Sequence, residues 1–126
     1  MIIWNELFGW CSILAGIALG LYMGAMFRRE DWLGGYDSFP RRMMRLAHIA
    51  LIAIGMLNVQ FAQTLPGSHL SESLAQAASI AMMVSAVLMP ACCLRMAFRR
   101  SHYEIFAAPV ISLAVAVGLT IGGLVP

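Results

Sequence analysis

The stretch Pro40 to Gln63, PRRMMRLAHIALIAIGMLNVQFAQ, opens with three arginines in its first six residues and then turns abruptly apolar. His48 stands just inside the apolar part, and Asn58 follows roughly 15 Å deeper at a helical rise of about 1.5 Å per residue. A boundary charge cluster followed by some 20 apolar residues is the pattern of a helix that crosses about 30 Å of hydrocarbon. Three more runs of that length lie along the chain. The four spans are expected at residues 7–27, 44–65, 74–94 and 105–125.

These spans leave too little of the 126 residues for a separate soluble domain. The composition agrees, with 61% hydrophobic and 11% charged residues, against about 25% charged in an ordinary globular chain. The expected architecture is all-α: one integral membrane domain over 1–126, folded as a four-helix transmembrane bundle.

Orientation follows from the arginines, which are the only lysine- or arginine-type residues present. Arg28, Arg29, Arg41, Arg42 and Arg45 flank the first connection, and Arg95, Arg99 and Arg100 flank the third. Those two connections fall on one side of a four-span protein, and the positive-inside rule assigns that side to the cytoplasm. Both termini are then expected outside (N-out, C-out), in a multi-pass protein of the cell inner membrane. The basic residues follow the first apolar run instead of preceding it, the reverse of a secretory signal. Span one is therefore expected to be retained. Nucleic-acid binding is excluded as a reading, since these arginines sit at helix ends and form no soluble basic face.

Arg41, Arg42 and Arg45 nevertheless break a local rule. They crowd the start of a helix, the positive end of its dipole, at roughly 0.3–1 kcal/mol each. Contact with lipid phosphates or with a partner is expected to offset that cost. Asp37 or Ser38 is expected to cap the same helix, with Pro40 in its first turn. Gly34-Gly35 reads as the preceding turn.

Ser12, Gly16, Gly20 and Gly24 place a small residue at every fourth position of span one, a glycine-zipper row that lets another backbone approach closely. Ala114, Gly118 and Gly122 repeat the pattern in span four. Both rows are expected to mediate helix packing, within the chain or against another subunit. Pro90 is expected to kink span three near its inner end.

Candidate chemistry is sparse. His48 is the sharpest candidate, because ionisable residues inside a span are costly and usually face the bundle interior or a cavity. It can hydrogen-bond a backbone carbonyl, move a proton, or ligate haem or chlorophyll as a neutral imidazole. His102 is the second ligand a b-type haem would ask for, if the third connection folds inward; His69 lies on the opposite side. Asn58, Gln60, Gln63 and Gln76 form a polar group toward the outer end, expected to supply interhelical hydrogen bonds. The three cysteines, Cys11, Cys92 and Cys93, read as small buried apolar residues. No metal site is expected.

No Asp or Glu lies inside any expected span, which weighs against a proton-coupled small exporter. Neither G-x-S-x-G, H-E-x-x-H nor a phosphate-cradling glycine loop is present. The expected function is non-catalytic: an accessory or assembly subunit of a larger inner-membrane complex, of respiratory or redox type, surrounded by lipid and associating with other subunits or with itself. The alternative is a haem b or other redox-cofactor subunit that uses His48.

Overall fold

The computed structural model describes residues 2–100 and 102–125. Four α-helices account for most of them: α1 (Ile2–Met26), α2 (Phe39–Thr64), α3 (Glu72–Phe98) and α4 (Ala107–Leu124). Short 3-10 turns at Trp32–Gly34, Leu65–Gly67 and Tyr103–Phe106 join them, and no strand occurs among the described residues. All four helices are long and apolar enough to cross a membrane.

Two helices begin a full turn before their apolar runs. Helix α1 starts at Ile2 instead of residue 7, and α2 at Phe39, ahead of its apolar run from residue 44 and where the expected cap and Pro40 place it. Hydropathy stops at Asn5, Glu6 and the arginines, but the backbone continues until something terminates it. For α2 that terminator is Ser38, whose Oγ accepts from the Arg41 backbone N–H at 3.3 Å, with Pro40 in the first turn. Gly34 and Gly35 ahead of it have φ of 87° and 99°, the left-handed region that glycine enters without penalty. Within α3, Pro90 removes one backbone donor, yet the helix runs on to Phe98.

Each helix packs along the one before it, and α1 also touches α3. The core is a series of small clusters. Met23, Met44 and Ala97 close the arginine-bearing end, Ala50, Ile54 and Ala86 occupy the middle, and Phe61, Ala78, Met82 and Ala116 fill the other end. Alanine at so many of these positions brings the helix axes close, and methionine fills the irregular gaps that remain.

The tightest crossing is between α1 and α2. A Cβ placed on Gly9 would fall 2.6 Å from the Gly55 carbonyl oxygen, and one on Gly55 would fall 2.9 Å from that of Gly9. Further along, Gly16 meets Ile52 and Leu51, and Gly20 meets the His48 ring. Ser12 is buried and donates its hydroxyl to the Leu51 carbonyl at 2.8 Å. The expected row therefore needs correcting at both ends. It begins one turn earlier, at Gly9, and Gly24 has nothing within 4 Å. A four-residue step advances about 40° round the helix, so by Gly24 the row has wound off the contact, and Met23 closes the seam instead.

In helix α4 the expected row meets no other helix of this chain. The buried positions of α4 are Pro109, Ala116 and Gly123, spaced by seven. Ala114, Gly118 and Gly122 are exposed, and both of these glycines have open space where a side chain would stand. They pack no helix within this chain. Gly123, which the pattern did not single out, lies against Leu70, and its carbonyl accepts from the His69 backbone N–H at 2.8 Å.

Gly9→Ala and Gly55→Ala should each destabilise the fold by about 1–3 kcal/mol, because the clash is with backbone that must shift. Gly24→Ala should be neutral or slightly stabilising, since its space is open and alanine favours helix. Unfolding in detergent micelles, followed by circular dichroism, measures the difference.

Candidate functional site

Three polar features lie within the helical framework, and they differ in whether their hydrogen-bonding capacity is used up. The first joins α1, α2 and α3. Asn5, Asn58 and Ser79 are each fully buried. Asn5 Nδ2 donates to Asn58 Oδ1 at 3.1 Å and to the Ser79 carbonyl at 3.3 Å. The Ser79 hydroxyl donates to Asn5 Oδ1. Asn58 Nδ2 donates to the carbonyls of Ile54, at 3.0 Å, and Met82, at 3.3 Å. A carboxamide has two N–H donors and one acceptor oxygen. Both asparagines have both N–H donors and the oxygen engaged inside the chain.

Gln60, Gln63 and Gln76, expected beside Asn58, are exposed instead and make no side-chain hydrogen bond with it. Gln60 and Gln63 line an outward groove with Trp10 and Met56. The partner that Asn58 finds is Asn5, which hydropathy had placed outside the span. Periodicity offered a signal for it. Asn5, Gly9, Ser12 and Gly16 follow steps of four, three and four, the spacing of residues on one helix face.

The second feature is Arg41, which is only 3% exposed. Its Nε donates to the Trp32 carbonyl at 2.6 Å, and its Nη2 donates to those of Arg29 at 2.6 Å and Glu30 at 3.0 Å. The guanidinium also stands 5.4 Å from the centroid of the Trp32 ring and 5.8 Å from that of Phe27. This corrects the expected lipid or partner contact for Arg41. It also resolves the dipole conflict: the side chain lies at the N-terminus of α2, but its charge sits just past the C-terminus of α1, the negative end of that helix.

Arg45 reaches the same connection, 4.9 Å above the Tyr36 ring, with Nη2 3.5 Å from the Tyr36 carbonyl. Arg42 alone of the three is exposed. Arg100, from the end of α3, lies 5.1 Å over Phe39.

The third feature is His48, half-buried in the seam between α1 and α2. Its Nδ1 lies 2.7 Å from the Gly16 carbonyl oxygen. A carbonyl only accepts, so Nδ1 carries the proton, and in the neutral ring Nε2 is left as the acceptor. Gly20 makes the approach feasible: a Cβ there would stand 2.6 Å from His48 Cε1. His102 is exposed ahead of the Tyr103–Phe106 turn, and nothing in the fold draws it to His48. His69 is exposed in the second connection. No group of three or more His, Cys, Asp or Glu side chains is placed to hold a metal ion among the described residues.

Comparison with protein-family models, with curated proteins and with solved structures finds no match for this chain.

Asn5→Ala would leave Asn58 Oδ1 and the Ser79 hydroxyl without partners inside the helices. It should lower stability by about 1–3 kcal/mol, whereas Gln76→Ala should change it by less than about 0.5 kcal/mol; equilibrium unfolding of the two variants in detergent compares them. Arg41→Lys should loosen the first connection, since one ammonium cannot reproduce a planar fork on three carbonyls and two rings. Faster hydrogen exchange and protease cleavage between residues 29 and 36 are expected, with a stability loss on the order of 2 kcal/mol.

Proposed function

We propose that this chain is a small, non-catalytic inner-membrane protein with both termini outside, and that it works by association as an accessory or assembly subunit of a larger complex. The observation that supports this reading is the state of α4. Only Pro109, Ala116 and Gly123 of that helix are buried within the chain. The opposite side carries Ala114, Gly118 and Gly122 uncovered, beside Val115, Ile111 and Ile121, which are 49%, 62% and 59% exposed. In hydrocarbon there is no hydrophobic drive to cover such a face. Close backbone approach and van der Waals contact are what small residues offer there, and another helix fits that offer better than lipid tails do.

The closed state of the polar core points the same way. Asn5, Asn58 and Ser79 hold three helices together and are fully buried, which suits a scaffold better than a reaction centre. The expected orientation rests on the eight arginines, all of which flank the first and third connections.

Extracted from its own membranes in mild detergent, the tagged chain should migrate on a native gel in an assembly far larger than its 13.7 kDa. Gly118→Leu and Gly122→Leu should release it while leaving its melting unchanged, because neither new side chain meets anything within the chain. Migration as a monomer in wild type would sink the proposal. A fusion reporter finding the C-terminus in the cytoplasm would overturn the orientation.

A further inference from the structure

Eight arginines gather at one end of the helices, and only two of them hydrogen-bond within the described chain. Arg41 donates to three carbonyls, and Arg45 reaches the Tyr36 carbonyl. The four carboxylates at that end, Glu30, Asp31, Asp37 and Glu104, are exposed. No guanidinium forms an ion pair with a carboxylate among the described residues. Eight positive charges thus face four negative ones, and an anion is what complements such a surface.

One place on this end is arranged as well as charged. Arg100 follows α3, yet its guanidinium lies across on α2, 5.1 Å from the centroid of the Phe39 ring. An aromatic ring supports a guanidinium by its face and leaves the N–H edge available. None of the five N–H donors of Arg100 is given to an acceptor among the described residues. Arg42 comes three residues after Phe39, so the two are neighbours on the surface of α2, with Cβ atoms about 5–6 Å apart. Its side chain is exposed and also donates no hydrogen bond among the described residues. Met44 and Ala97, close in sequence to these arginines, belong to one packed cluster. The fold itself therefore holds the two cations at neighbouring helix ends. Arg41 lies about 200° round α2 from Phe39 at 100° per residue, which turns Arg41 to the α1 connection and leaves Phe39 for α3.

The level of the pair says which anion it meets. Arg42 precedes the apolar run from Met44 by about 3 Å at 1.5 Å per residue, and Arg100 lies just past Phe98, the last residue of α3. The headgroup layer is roughly 5–7 Å deep on each side of a bilayer, so both side chains stand at the depth of lipid phosphates. A phosphodiester offers two unesterified oxygens and one negative charge, which suits guanidinium forks. A choline headgroup would bring its own cation back to the site, and a glycerol headgroup would not.

We propose that the α2–α3 end binds one anionic phospholipid, whose phosphate is bridged by Arg42 and Arg100 over Phe39. The proposal rests on the four helices crossing a bilayer. It needs neither the orientation nor the association through α4 given above.

Native mass spectrometry of the full chain in mild detergent, titrated separately with phosphatidylglycerol and phosphatidylcholine at 0.15 M salt (a Debye length of about 8 Å), tests it. One phosphatidylglycerol per chain is expected, held in preference to phosphatidylcholine. Arg42→Gln and Arg100→Gln should each weaken it roughly fivefold. Arg28→Gln removes the same charge from the end of α1, about 8–10 Å or more away across the helix pair, and should weaken it less than about twofold. Melting by circular dichroism in lipid-free detergent separates binding from folding: the variants should melt as wild type, and phosphatidylglycerol should raise the melting temperature of wild type alone. Should Arg100→Gln fail to fold, Arg100→Lys keeps the charge without the fork and is expected to weaken binding by a smaller factor. Equal retention of the two lipids, or equal weakening by Arg28→Gln, overturns the inference. Displacement of the lipid by millimolar inorganic phosphate does so too, because the pair would then hold a free anion. So does a chain that retains no lipid but leaves its native-gel assembly when Arg42 or Arg100 is replaced, the pair then docking an acidic partner. Selective lipid binding by a chain that migrates alone upholds this inference while the association reading fails.

Discussion

The hydrogen-bonded meeting of Asn5, Asn58 and Ser79 sets the register of three helices at once. Helices immersed in hydrocarbon gain little from burying apolar surface against each other, so sliding one past another costs little unless something directional resists it. Here two carboxamides and a hydroxyl resist it, because every N–H and O–H they carry is donated inside the chain and each amide oxygen accepts a bond. Shifting α1 by one residue would turn Asn5 about 100° away and leave buried amides without partners. The close crossing of Gly9 and Gly55, one turn from Asn5, depends on that register being held. Serine hydroxyls repeat the device on a smaller scale, Ser12 to the Leu51 carbonyl between α1 and α2, and Ser112 to the Ala81 carbonyl between α4 and α3.

At the opposite end of α1, a charge does the corresponding work. A buried arginine without a carboxylate is usually costly, and Arg41 meets the cost with three carbonyl oxygens and two aromatic faces. The turn after α1 is where carbonyls are left over, since the last residues of a helix have no intrahelical donors. One side chain thus satisfies the end of one helix from the start of the next. The 15 residues of charged and aromatic chain from Phe27 to Arg41 are folded around that guanidinium. The α1–α2 hairpin is therefore fastened at both ends, by amides at one and by an arginine at the other.

Against that background the incomplete features of the molecule are few and local. Helix α4 packs mainly along α3 and leaves its small residues uncovered, and His48 has one nitrogen engaged by the Gly16 carbonyl. The rest of the described framework is held by polar groups that find their partners inside the chain.

Four helices could be counted from hydropathy, because a span of about 20 apolar residues leaves a mark in composition that no tertiary contact is needed to explain. The capping serine, the glycine turn and the polarised arginines were equally legible, being local consequences of backbone geometry and charge. The start of α1 and the inward turn of Arg41 were not, since Asn5 and Arg41 count as solvent-facing in any scale that weighs residues singly. Whether a polar side chain lies in water or in a core is decided by what stands opposite it. By itself the sequence determined the number of helices, their approximate spans and the charge of their ends. Only the tertiary structure decided that Asn58 pairs with Asn5 instead of the glutamines, that Arg41 turns inward, and that the α1 row begins at Gly9 and has left α2 by Gly24. Those outcomes depend on which faces two helices present to each other, and a drift of about 40° per four-residue step is enough to change the answer.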